Sequence, residues 1–154
     1  MKMFAIIRLK GQAGKKKEIN DTLNMLRLKA ANNCVVVPET PDFKGMVGKV
    51  KDYVTYGEID KEVLVAMLKK RLKLKGNEKL DEKKLKEITK FDSFEKFADA
   101  LISGKIKLKD FVQLQPVFRL TPPSKGLKSI KEGYPKGDLG YRGKEINELL
   151  ERMI

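Results

Sequence analysis

The sequence predicts an α+β fold: a core ordered strand, helix, strand, helix, strand, with both helices on one face of a three-stranded sheet, followed by an inserted helical region and a C-terminal helix. Three observations lead there. Residues 3–10 alternate with the period of a strand, residues 40–50 spell a capped amphipathic helix between two short β-branched runs, and from 59 to 103 the apolar spacing is helical throughout. A chain of 154 residues has room for one ordinary domain with a modest core. It divides into a core at 1–58, a helical insertion at 59–113, and a segment at 114–154 that brings an edge strand, a basic loop and a docking helix.

In MFAIIRLK (3–10), Met3, Ala5, Ile7 and Leu9 share one face, and Phe4, Ile6, Arg8 and Lys10 the other. The turn GQAGKKK leads into a helical stretch where Ile19, Leu23, Leu26 and Ala30 recur on one side, with Asn32 and Asn33 placed to end it. Residues 34–37 form a short strand stopped by Pro38. Thr40 then caps a helix, Pro41 sits where a missing N–H costs nothing, and Asp42 complements the helix dipole. Phe43, Met46, Val47, Val50 and Val54 face the core. The opposite side carries Lys44, Gly45, Gly48, Lys49 and Asp52, and each interior glycine costs roughly 0.5–1 kcal/mol relative to alanine. Close packing against another element explains such glycines, and so does a bulky partner approaching bare backbone; the sequence leaves both open. YVTY (53–56) is a third strand, closed by Gly57. With the helices on the Met3 face, the face of Phe4 and Arg8 is left for later segments or a partner to cover.

The insertion carries three stripes: Leu64, Met67, Leu68 and Leu72; Leu85 and Ile88; Phe94, Phe97, Ala98 and Leu101. Ser93 caps the third helix and Gly104 ends it, while KLKGNEKL (73–80) is a basic loop. LQPVFRL (114–120) is an edge strand, the place in a sheet where Pro116 is tolerated. TPPSKGLKSIKEGYPKGDLGYRGK has six basic residues against two acidic ones and two tyrosines, a composition that suggests a loop ordered on nucleic acid, with a plain flexible loop as the alternative. Ile146, Leu149, Leu150 and Met153 make the last helix amphipathic.

Lysine and arginine number 34 against 21 acids, a net charge of +13, so phosphate-bearing partners are expected, nucleic acid ahead of an anionic membrane. No apolar run approaches the roughly 20 residues of a membrane span, and MKMFAIIRLKG is too short for a signal peptide, which points to the cytoplasm. One cysteine, Cys34, allows no intramolecular disulfide and reads as a buried strand residue. With no histidine, a structural zinc site, a hydrolase triad and histidine acid–base catalysis have no residues to use. Nor is there a phosphate-binding GxxxxGK[ST] or a GxGxxG fingerprint, so neither catalysis, metal nor cofactor is expected.

LRLKAANNCVVVPETPDFKGMVGKVKDYVTYGEI (26–59) resembles the signature of the large-subunit ribosomal protein L-thirty family, which includes the eukaryotic protein numbered L-seven. RLTPPSKG (119–126) and LGYRGKEINELLERMI (139–154) resemble the C-terminal part of its archaeal and eukaryotic members, and a short N-terminus makes the chain look archaeal. The resemblance implies an antiparallel, ferredoxin-like three-stranded sheet and a non-catalytic role in the large ribosomal subunit. The implied partners are ribosomal RNA near the 5S RNA region and neighbouring subunit proteins. Together with the charge pattern it nominates Arg8, Lys10, Lys15, Lys16, Lys17, Arg27, Lys29, Lys44, Gly45, Gly48, Lys49, Arg119, Lys125, Lys128, Lys131, Lys136, Tyr141, Arg142 and Lys144 as RNA contacts. The rival readings are a DNA-binding regulator acting through residues 60–103, with Lys69, Lys70 and Arg71 on the duplex, and an Asp/Lys enzyme for which no paired carboxylates stand out.

Overall fold

A computed structural model describes residues 3–154 except 12–16, 75–77, 79, 108–110, 112, 125 and 128–131. Strand β1 (Met3–Arg8) is central and buried along its whole length. It pairs antiparallel with β2 (Asn33–Pro38) on one side and β3 (Val54–Glu58) on the other, so that Ile6 lies opposite both Val35 and Tyr56. The sheet has five strands rather than three. Short β4 (Phe118–Arg119) adds antiparallel to β2, and β5 (Gly140–Tyr141) adds parallel to β3, giving the order β4-β2-β1-β3-β5. The expected edge strand is thus present in part, while β5 lies inside the segment read as a loop.

Helices α1 (Lys17–Met25) and α2 (Pro41–Lys49) do share one face, but it is the opposite face from the one expected. Leu23, Leu26, Val47 and Val50 pack with Phe4, Ile6, Val35 and Val54. Met3, Ala5, Ile7 and Leu9 instead join a larger cluster with α3 (Lys61–Arg71), α5 (Phe94–Ile102) and α6 (Ile146–Met153). Both rows of β1 carry large apolar residues, Phe4 and Ile6 beside Arg8 on one and Met3, Ala5 and Ile7 on the other, so alternation alone does not choose which helices each row receives.

Helix α1 also stops earlier than its periodicity suggests. Leu28 N–H bonds the Leu23 carbonyl at 2.9 Å and Arg27 N–H the Asn24 carbonyl at 2.9 Å, with Arg27 left-handed at φ 64°, which is a Schellman ending. Leu26 stays buried in the turn, whereas Ala30 is exposed. Strand β3 runs through Gly57 instead of ending there. A Cβ at Gly57 would collide with the Gly143 carbonyl oxygen, so glycine is needed where the 3-10 turn Gly143–Glu145 crosses the strand.

Other local readings hold. Phe43 N–H donates to Thr40 Oγ1 at 3.4 Å, Lys96 N–H to Ser93 Oγ at 3.3 Å, and Gly104 takes φ 80° just past α5. Helix α4 (Glu82–Thr89) buries Leu85. Asn147 fastens α6 to β3: its amide donates to the Glu58 and Lys144 carbonyls at 3.1 and 2.9 Å, and Asp60 N–H donates to its oxygen at 2.8 Å. No helix among the described residues is long and apolar enough to cross a membrane.

Candidate nucleic-acid interface

The outer side of α2 is unlike an ordinary solvated helix face. Its core side is carried by Val47 and the capping Val50, both buried, with Phe43 and Met46 half-buried. Turned away from them, Gly45 and Gly48 are exposed, and among the described residues a Cβ built on either meets nothing within 4 Å beyond its own helix. Packing against another element therefore does not account for the glycines. Lys44 and Lys49 flank the bare strip, each exposed. Lys44 Nζ lies 3.2 Å from Glu39 and Lys49 Nζ 3.7 Å from Glu18. Exposed pairs of this kind contribute roughly 0–1 kcal/mol, so an incoming phosphate readily replaces either carboxylate.

On the same side of the sheet, Tyr141 lies 51% exposed beside Tyr56 and Phe4, with ring centroids 5.4 and 6.4 Å away. Its hydroxyl donates to Glu58 Oε1 at 2.5 Å. That hydrogen bond, then burial, then the negative charge of Glu58 and Glu39, push the Tyr141 phenol up to about 12. The ring is held by its far end and presents an aromatic surface of the kind on which bases stack.

Two of the nominated cations are not at the surface. Arg8 is 1% exposed: its Nε donates to the Lys10 carbonyl at 2.8 Å and Nη1 to the Leu28 carbonyl at 2.7 Å, and burial lowers its pKa below the ordinary arginine value. Arg142 is 7% exposed and bonds Thr55 Oγ1 through Nε at 3.0 Å and Asp138 Oδ1 through Nη2 at 2.8 Å, with its guanidinium 5.1 Å from the Tyr134 ring centre. Strand alternation put Arg8 on a face taken to be open. That face is covered by α1 and α2, and a planar donor fork is well suited to closing the carbonyls left there.

The model for ribosomal protein L30p/L7e matches residues 4–54, which run from β1 to the start of β3 and include the bare face of α2. The chain is 50% identical over 151 residues to the large ribosomal subunit protein uL30 of Archaeoglobus fulgidus, covering 98% of this chain and 99% of that protein. It is 48% identical over 153 residues to the protein of the same name in Thermoplasma volcanium, covering 99% and 93%. The chain belongs to the ribosomal protein L30p/L7e family. These L30p/L7e relatives are archaeal, as the sequence led one to expect, and the likeness extends through the helical insertion and the C-terminal segment.

In this L30p/L7e chain the remaining nominated residues distribute as follows. Lys17, Arg27, Lys29, Arg119, Lys136 and Lys144 are exposed, and Lys10 is half-exposed with its ammonium 5.6 Å from the Tyr53 ring centre. Lys15, Lys16, Lys125, Lys128 and Lys131 lie outside the described residues. Lys44, Gly45, Gly48, Lys49 and Tyr141 fall on the α1/α2 side of the sheet, while Arg119 sits on the opposite edge strand from Tyr141. Tyr56 was not nominated; two residues on from Val54 it shares that residue's face of β3, which the structure puts on the α1/α2 side. Among the described residues no cluster of Cys, Asp and Glu has a metal-binding arrangement.

Proposed function

We propose that the chain is a structural constituent of the large ribosomal subunit that holds ribosomal RNA against the outer surface of its α1/α2 layer and its basic C-terminal segment. Catalysis has no part in this role, and the place of action is the cytoplasmic ribosome. The observation that carries the proposal is the bare strip of α2. Two interior glycines stay exposed with none of the described residues against them, between two lysines whose present partners are weakly held. Backbone without side chains lets a phosphate backbone lie against the helix, and lysine supplies point charge to it without reading bases. Tyr141 adds a stacking surface, and Lys136 and Lys144 extend the charge along the C-terminal segment. Arg8 and Arg142 act inside the protein, fixing the shape that presents these groups. The proposed RNA region is the neighbourhood of the 5S RNA, with other large-subunit proteins alongside.

The regulator reading fares less well. Val63, Leu64, Met67 and Leu68 of α3 and Phe94, Phe97 and Leu101 of α5 are buried in the main core, and Arg71 donates to the Arg119 carbonyl at 3.3 Å. Of the three cations that reading puts on a duplex, Arg71 is thus engaged within the protein, while Lys69 and Lys70 stay exposed.

The test is equilibrium binding of the full chain to a folded large-subunit RNA fragment, with and without the 5S RNA, and to duplex DNA of equal length, across a salt series. RNA binding that outlasts DNA binding as salt rises is expected. Equal, steeply salt-dependent binding to both would reduce the interaction to charge alone and overturn the proposal. Loss of the 5S RNA without effect would remove that part of it.

A further inference from the structure

A cleft of about 350 Å³ opens along the outer edge of β2, away from the bare strip of α2. Its walls are apolar: the side chains of Val36 and Pro38 on the strand, Phe43 of α2, and Ile106 and Pro116 from the segments facing them. Met25, the last residue of α1, stands at its margin 70% exposed, although a thioether gains nothing from water. Arg27 and Lys107 are the cations of the lining, and no acid lines the cleft among the described residues. Arg27 holds its place at φ 64°, a conformation that costs a non-glycine residue about 1 kcal/mol.

The edge of β2 carries hydrogen-bonding groups into this space. Strand β4 pairs with β2 only at Asn33 and Cys34. Leu120 N–H reaches the Asn32 carbonyl at 3.1 Å, so by strand alternation the N–H and C=O of Val36 point outward on the same side. An added protein strand would need a longer row of such groups. Pro38 has no N–H, and its carbonyl already accepts from Thr40 N–H at 2.9 Å. One donor and one acceptor between apolar walls is too little for a strand but matches the edge of a single base, whose faces are apolar and whose two phosphates need cations.

We infer that this cleft receives one unstacked nucleobase of the bound RNA, with the base between Met25 and Phe43, its edge on Val36, and the flanking phosphates at Arg27 and Lys107. The inference rests on the RNA-binding role proposed above and assigns it a second, base-holding site.

The test uses the full chain with 13C-labelled methionine methyl groups, saturated with the folded large-subunit RNA fragment. The Met25 methyl resonance is expected to move upfield under the ring current of the base. Met25→Glu, a change at an exposed position, should weaken RNA binding roughly 5- to 150-fold, the range for losing one stacked base, while Met25→Leu should bind nearly as the parent does. Tight RNA binding with the Met25 methyl unmoved and Met25→Glu neutral would overturn the inference and leave the RNA-binding role standing. A methyl shift that appears only when other large-subunit proteins are added would overturn it in favour of a protein segment. Failure of the parent chain to bind the RNA at all would remove both.

Discussion

Replacing Gly45 and Gly48 together by alanine should stabilise the protein and weaken its RNA complex, two effects of opposite sign from one change. An alanine in place of glycine gains roughly 0.5–1 kcal/mol in a helix interior, because the unfolded chain loses less freedom on folding. Among the described residues nothing opposes that gain: the added methyl groups meet nothing within 4 Å beyond their own helix, and neither glycine has a positive φ. The pair should therefore add about 1–2 kcal/mol, which for a chain of this size raises Tm by roughly 2–8 °C. In the complex the same methyl groups stand between the helix backbone and the RNA. Overpacking a close contact costs about 1–3 kcal/mol, or roughly 5- to 150-fold in Kd. Thermal unfolding followed by circular dichroism gives the first quantity, and titration of the folded RNA fragment at fixed salt gives the second. A more stable double variant with unchanged RNA affinity would refute the reading of α2 as a contact face. A variant no more stable than the parent would refute the account of the glycines themselves.

Asp138→Ala strips the carboxylate from a buried Arg142 and should cost about 3–5 kcal/mol, read as a lower denaturant midpoint. Gly57→Ala should lose roughly 1–3 kcal/mol through its collision with the Gly143 carbonyl, measured in the same assay. Tyr141 should titrate near 12 by phenolate absorbance, and Glu58→Ala should bring it back toward the ordinary 10.0. Since the folded-state value is the raised one, this group's contribution to stability is intact below pH 10 and is lost as pH rises from there through 12. Burial pushes the Cys34 thiol far up, so a thiol reagent should leave the folded protein unmodified and react once it is denatured.

The helices were legible where each apolar stripe has a cap beside it. Thr40 with Pro41, and Ser93 ahead of Phe94, fix their starts by local chemistry that tertiary packing does not override. The end of α1 was not legible, because Leu26 continues the stripe while lying in a turn, and a left-handed Arg27 carries none of the signal that glycine gives. Strand β5 is two residues long and owes its existence to β3 beside it and to Thr55, whose hydroxyl donates to the Gly140 carbonyl at 2.9 Å. No window of sequence contains that contact across 85 positions. For the site, Gly45 and Gly48 stood out because a helix rarely keeps such residues, and only coordinates could separate internal packing from an open face. The cleft along β2 was hidden from sequence because its walls come from the core, from the end of the insertion at Ile106 and Lys107, and from Pro116 beyond it.

The division between arginine and lysine bears on how the RNA is held. The chain has six arginines, and four of them, Arg8, Arg71, Arg142 and Arg152, donate to backbone carbonyls of the protein itself. A guanidinium closes several acceptors in one plane and retains its charge when buried, which suits it to fastening the chain at Leu28, Ser124 and Gly126. What remains on the surface is chiefly lysine, which bonds phosphate from many directions and discriminates little between bases. Recognition must then lie in the shape that positions those lysines and in the few flat or hollow apolar places, Tyr141 and the β2 cleft, where a base can rest. Substituting Lys44 and Lys49 should accordingly lower affinity about equally for all RNA fragments and reduce the slope of log K against log salt by about 1–2. Uncharged substitutions at Tyr141 and Met25 should instead leave the slope nearly as it was and alter the preference among fragments.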